Sequence, residues 1–230
     1  MNCNRIREAN RQAREMRELI QKCRWSQVLQ KAEERPVLLV WNQMEENYGE
    51  SIFWRIWEEN RWVGRDCVRI LLQHPNLARC ANIVSLGEAQ FSKDGRDYFV
   101  RGTLTGLLAG TGEIGLLEEA LDCGLDVDGW DGESWYEDEY GLYHFRGERG
   151  CMLQCIEGFH RRHREAVEDD ISFRETTPLL VAILRENVEM VDLLIRRGAS
   201  FAPKSELCKN YLRTCDSWTI RDRLKEAYGR

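Results

Sequence analysis

Proline and histidine are both scarce in this chain, four of each among 230 residues. Few prolines leave helices uninterrupted, and few histidines leave little choice of general base near neutral pH. No apolar run approaches the length that crosses a bilayer, so no membrane association is expected. The opening residues MNCNRIREANRQ lack an apolar signal core, which argues against secretion, and Glu8, Glu15 and Glu18 argue against a mitochondrial leader. There is no Gly-rich phosphate loop, no HExxH and no nucleophile elbow, so no catalytic residue is assigned and no cofactor is expected. The nine cysteines form no framework, and their odd number reads as reduced thiols in a cytoplasmic or nuclear setting. An excess of basic charge is missing too: the net charge of -6 argues against a generally basic nucleic-acid coat.

What is present points to a packed, helix-rich, water-soluble protein. Hydrophobic residues make up 43% of the chain, charged residues 31%, and there are eight tryptophans. The clearest local signal is TPLLVAILRENVEMVDLLIRRGASF, Thr177 to Phe201. Thr177 offers a hydroxyl cap, Pro178 sits where its missing donor is harmless, and Leu179 and Ala182 point inward. Val188, Met190, Val191, Leu194 and Ile195 follow at helical spacing, and Gly198 supplies a positive φ just beyond. This stretch resembles an ankyrin repeat along its whole length. It departs from the family pattern at Leu180, where a His is usual, and at Glu186, where a Gly is usual, so a reshaped turn between the helices is expected there. A two-helix unit of this size cannot bury its apolar faces alone, so similar units must stack on both sides.

Two further stretches resemble the same unit more loosely. CVRILLQHPNLA, Cys67 to Ala78, matches a second helix through Cys67, Val68, Leu71 and Leu72. TLTGLLAGTGEIGLLEEALDCGLDV, from Thr103, repeats the register, with Thr103 as a cap, Gly112 at the inter-helix turn and Gly124 at the close. The fold class implied is all-α: a short ankyrin-like helical repeat solenoid with large inserts and helical caps. Residues 1–48 form an N-terminal cap, in which Ile6, Ala9, Ala13, Met16, Ile20 and Cys23 share one helical stripe and Ser26 to Glu34 form a second helix. VLLVW at 37–41, within the cap, is left unassigned; residues 49–201 carry the repeats, with a buried helix face over Ser51 to Trp57 and a turn over Asn60 to Gly64. Residues 202–230 form a C-terminal cap of two helices, Ser205 to Leu212 and Ser217 to Tyr228.

The first insert, 85–101, contains a Lys-Asp-Gly turn flanked by Phe91 and Tyr98 and reads as a hairpin or finger. The second, 129–175, begins with an acidic and aromatic run and continues into a stretch read as helical, Cys151 to Asp169. That run supplies the candidate site: Trp130, Asp131, Glu133, Trp135, Tyr136, Asp138, Glu139 and Tyr140. With Asp126, Asp128 and Glu137 it holds seven carboxylates and no cation. Carboxylates interleaved with rings suit a guanidinium or another cation; a long loop with buried tryptophans and solvated acids is the other reading. Cys151, Cys155, His160 and His163 are suitable zinc ligands by type, but on one helix His160 projects away from the cysteines, so no metal is expected.

The N-terminal helix carries seven cations against three glutamates over residues 5–24, a local net of +4. Arg7, Arg11 and Arg14 are its candidates for contact with phosphate or RNA. The resemblance implies a scaffold that binds a protein partner through finger inserts and a concave helical face. The alternative is a small enzyme on the same scaffold, an aminoacyl-tRNA-dependent transferase or cyclodipeptide synthase holding an arginyl group. No motif of such enzymes is present.

Overall fold

A computed structural model of the chain describes residues 3–34, 57, 59–73, 88–129, 136–137, 143–144, 151–157 and 174–229. VLLVW at 37–41, residues 51–56, His74 to Ala78 and 158–169 lie outside these. The N-terminal helices are α1 (Cys3–Gln21) and α2 (Trp25–Glu34), packed against one another over Met16, Ile20, Val28 and Ala32. Cys23 is not part of that stripe. It is exposed and takes a left-handed φ of 52°, and the backbone N–H of Arg24 reaches back to the Leu19 carbonyl. Asn60 begins a helix rather than a turn: its Oδ1 accepts the Val63 N–H, and α3 (Arg61–Gln73) runs through the segment expected to be a turn.

The hairpin of the first insert forms as expected. β1 (Glu88–Lys93) and β2 (Arg96–Gly102) pair antiparallel through a two-residue turn, Asp94-Gly95, with φ of 52° and 75°. Both positive angles belong to the turn type whose twist matches the strands. Phe91 and Tyr98 face each other across it with ring centroids 5.1 Å apart.

Two helix pairs follow in the same register, 74 residues apart: α4 (Leu104–Thr111) with α5 (Ile114–Asp122), and α6 (Pro178–Leu184) with α7 (Val188–Arg196). Between them lie β3 (Tyr136–Glu137), β4 (Tyr143–His144), β5 (Cys151–Glu157) and β6 (Arg174–Thr176). The chain continues as α8 (Glu206–Thr214) and α9 (Trp218–Tyr228), the two helices expected there. Side chains cap the starts of α6, α7, α8 and α9. Thr177 Oγ1 accepts the Leu180 N–H, Asn187 Oδ1 that of Met190, Ser205 Oγ that of Cys208, and Ser217 Oγ that of Ile220. Thr103 is the exception. Its hydroxyl donates to the Gly129 carbonyl and meets Thr105 instead of capping α4.

Four of these helices end alike. At Gly112, Gly124 and Gly198 φ is 81°, 85° and 84°, and the next residue's N–H reaches back five positions to a helical carbonyl. Glu186 closes α6 in the same way at φ 55°, so the turn is not reshaped where glycine is missing.

The all-α expectation needs a correction. The described chain is mostly helical, but it includes a four-stranded antiparallel sheet in the order β1-β2-β5-β6, with β3 and β4 paired separately. Cys151 to Glu157 is a strand in this sheet, not the start of a helix, because the free edge of β2 offers it seven partners from Gly102 to Arg96.

The helices lie in two rows. First helices touch in the order α4, α6, α8, and second helices in the order α3, α5, α7, α9. Every residue of α4 from Leu104 to Gly110 and every residue of α6 is buried. A helix buried all round needs neighbours on every side. For α4 these are α5, α6 and the β1-β2 hairpin. Ala89, Phe91, Tyr98 and Val100, alternate residues of the hairpin, are buried on the face toward the core. At α4, one of the first helices expected to form a partner-binding face, that side is covered by the chain's own first insert.

Candidate interaction surface

Ion pairs join each second helix to the next along the outer row. Arg61 and Arg65 share Glu113, Arg69 pairs with Glu119, Arg197 with Asp122 and Glu118, and Arg223 with Asp192. Most of these groups are well exposed, so each pair contributes at most about 1 kcal/mol and acts mainly on register. Glu113 is the most enclosed. Burial pushes its carboxyl up, but the two guanidiniums together outweigh this and hold it below the usual carboxylate range.

The tip of the hairpin is fastened to the far end of the first-helix row. Lys93 Nζ donates to the Glu186 carboxylate at 2.7 Å and to the Thr214 carbonyl at 2.8 Å, while the Asp216 N–H donates to the same carboxylate at 2.7 Å. The bond from Lys93 does most to lower the Glu186 pKa; burial opposes it, and the Asp216 N–H lowers it further. Arg185 donates to the Gly110 carbonyl at 2.6 Å with its guanidinium 4.8 Å from the Phe91 ring centre. One left-handed glutamate thus holds strand, helix turn and connector together. Replacing Glu186 with Ala removes the carboxylate and keeps the left-handed cost, whereas Gly removes both. Glu186→Gly is expected to exceed Glu186→Ala in stability by about 1 kcal/mol, measured as the difference in urea midpoints.

Thr177 through Gly198 thus combines a hydroxyl cap, a proline start, a fully buried first helix and a left-handed close. Residues 174–204 match the ankyrin repeat family. The match is a single repeat, spanning β6, α6, α7 and the turn that follows. No curated protein and no solved structure matches the chain. Among the described residues no helix is long and apolar enough to cross a membrane.

The acidic insert is rooted against this ankyrin repeat. Asp126 Oδ1 accepts the Asp128 N–H at 2.7 Å, Asp128 Oδ1 accepts the Ser200 N–H at 2.7 Å, and Thr103 fixes Gly129. Two of the seven carboxylates therefore order the base of the loop. Tyr136 stands in β3, paired with His144 of β4. Trp130, Asp131, Glu133, Trp135, Asp138, Glu139 and Tyr140 lie outside the described residues, as do His160 and His163. Cys151 and Cys155 share a strand rather than a helix, and the described residues contain no group of three or more metal-ligating side chains.

At the N-terminus Arg7, Arg11 and Arg14 are exposed on α1. Arg11 is bracketed by Glu8 and Glu15, whose hydrogen bonds and charge raise its pKa, and Glu15 in turn accepts from Lys31, which lowers its own. Much of the basic charge seen in the sequence is thus compensated locally at this position.

A surface the sequence did not single out lies beyond the ankyrin repeat. A cleft of about 470 Å³ is lined by Phe201, Pro203, Leu212 and Leu224 and rimmed by Arg213, Arg221 and Lys225. Tyr228 closes one flank: its ring is 5.4 Å from that of Phe201, and its hydroxyl donates to the Ala199 carbonyl. Burial pushes the Tyr228 hydroxyl pKa up. Leu212 and Leu224 sit at helical core positions, so sequence pattern alone assigns them to packing.

Proposed function

We propose that the chain is an ankyrin-type solenoid scaffold that binds a protein partner. The observation that carries this reading is the matched repeat at 174–204 with a helix pair of the same register against it on one side and α8 and α9 on the other. In this reading 1–48 is an N-terminal helical cap, 49–201 the repeat region with its inserts, and 202–230 a C-terminal cap. Repeats of this kind present extended surfaces rather than enclosed reaction sites. Because the hairpin occupies the face of α4, the contact surface moves to the second insert, rooted beside Ser200.

The partner contact is assigned to Trp130, Asp131, Glu133, Trp135, Tyr136, Asp138, Glu139 and Tyr140. Their composition supports a basic partner segment, since a guanidinium takes paired bonds from carboxylates and stacks on an indole. The test is affinity capture with the intact chain and with a variant bearing Asp131→Lys, Glu133→Lys, Asp138→Lys and Glu139→Lys. A saturable protein partner is expected to be lost from the variant while its thermal unfolding stays unchanged. A partner retained at equal affinity would contradict the assignment.

A further inference from the structure

We infer that the cleft between α8 and α9 is a second binding site, and that it takes an acidic peptide segment carrying apolar side chains. The inference stands apart from the acidic insert, whose charge is opposite. The chain as a whole is -6, yet the cleft is rimmed by three cations and none of its lining residues is acidic. Arg221 donates to the Cys215 carbonyl at 2.6 Å and to the Leu212 carbonyl at 3.2 Å, and Arg213 to Asn210 Oδ1 at 3.3 Å. These acceptors are neutral, so they orient the guanidiniums without cancelling their charge. Of the acids on the neighbouring elements, Asp192 and Glu226 pair with Arg223 and Glu186 with Lys93, while Asp216 and Asp222 are exposed but do not line the cleft.

The walls decide what else the ligand must carry. Phe201, Pro203, Leu212 and Leu224 give a mainly apolar lining, and the volume falls within the roughly 300–1,000 Å³ of ligand-binding pockets. Trp218 is exposed beside the rim, with the Arg221 guanidinium 6.0 Å from its ring centre, which extends the apolar surface outward. A single-stranded nucleic acid would need open rings to stack on and cations spaced along a groove. Here Trp218 offers a single open ring, the Phe201 ring packs on Tyr228, and the cations converge on one cleft rather than following a groove, so the peptide is favoured.

The test uses the full chain and a short fluorescein-labelled peptide of alternating Asp or Glu with Leu or Trp, read by anisotropy. Its counterpart with Asn and Gln in place of the acids, and a labelled oligouridine, are run beside it. The acidic peptide is expected to bind saturably, weaken as salt rises, and lose about tenfold in affinity with Arg213→Glu plus Lys225→Glu. Both positions are exposed, so the double variant should unfold at the unchanged temperature. Leu224→Ala is a second probe of the apolar wall and should weaken the same peptide. Equal binding of the neutral peptide, preference for oligouridine, absence of saturable peptide binding, or affinity unchanged in the double variant would each overturn the inference.

Discussion

Leu194→Ala is expected to destabilise the chain by about 2–5 kcal/mol, enough to abolish a large part of a typical folding free energy. Leu194 is fully buried on α7, the second helix of the ankyrin repeat, and its carbonyl also accepts the Ala199 N–H that closes the repeat. Truncation leaves a cavity between helices held on both sides, α5 and α9, so the site has little room to collapse. Equilibrium urea unfolding measures the loss. An effect under about 1 kcal/mol would mean that α7 is not enclosed by neighbours.

The second large effect concerns a glycine whose smallness has a specific cause. A Cβ at Gly110 would lie 2.8 Å from the Ala89 Cβ and 3.3 Å from the Val100 Cβ, inside the contact limit of the hairpin on α4. Gly110 is helical, so alanine gains helix propensity while forcing the hairpin outward; valine adds two methyl groups to the same clash. Gly110→Val is therefore expected to cost about 1–3 kcal/mol through overpacking, or more if the hairpin detaches. Loss of the Phe91 and Tyr98 near-ultraviolet signal would accompany detachment. A Gly110→Val protein as stable as the parent would show that the hairpin does not rest on α4.

The parts of this fold that sequence made legible are those with local causes. Thr177, Pro178 and Gly198 act within a few residues of their own position, and so do Asp94 and Gly95 at the hairpin turn. Thr103 misled because the residue that claims its hydroxyl, Gly129, is 26 residues away. The strand at Cys151 to Glu157 was illegible for the same reason: CMLQCIE has no clear period of two, and pairing with β2, remote in the chain, decides its conformation. Glu186 looked like a departure from the repeat, yet its left-handed turn survives because Lys93 and the Asp216 N–H hold the carboxylate. Of the candidate site, the charge of the acidic insert was readable, but not that Asp126 and Asp128 serve to anchor it. The basic cleft escaped notice because Leu212 and Leu224 follow helical spacing and the sign of a surface depends on how α8 meets α9.

The covered face has a functional consequence. At α4 the first-helix row is covered by the chain's own hairpin, which leaves the second insert and the outer helix row as the surfaces proposed for a partner. Native-state hydrogen exchange tests this most directly. If the hairpin is a packed layer of the column, the amides of Ala89, Phe91, Tyr98 and Val100 will exchange with the same opening free energy as those of Leu107 to Gly110 in α4. Hairpin amides that exchange freely while α4 stays protected would show that the face is open and contradict the account.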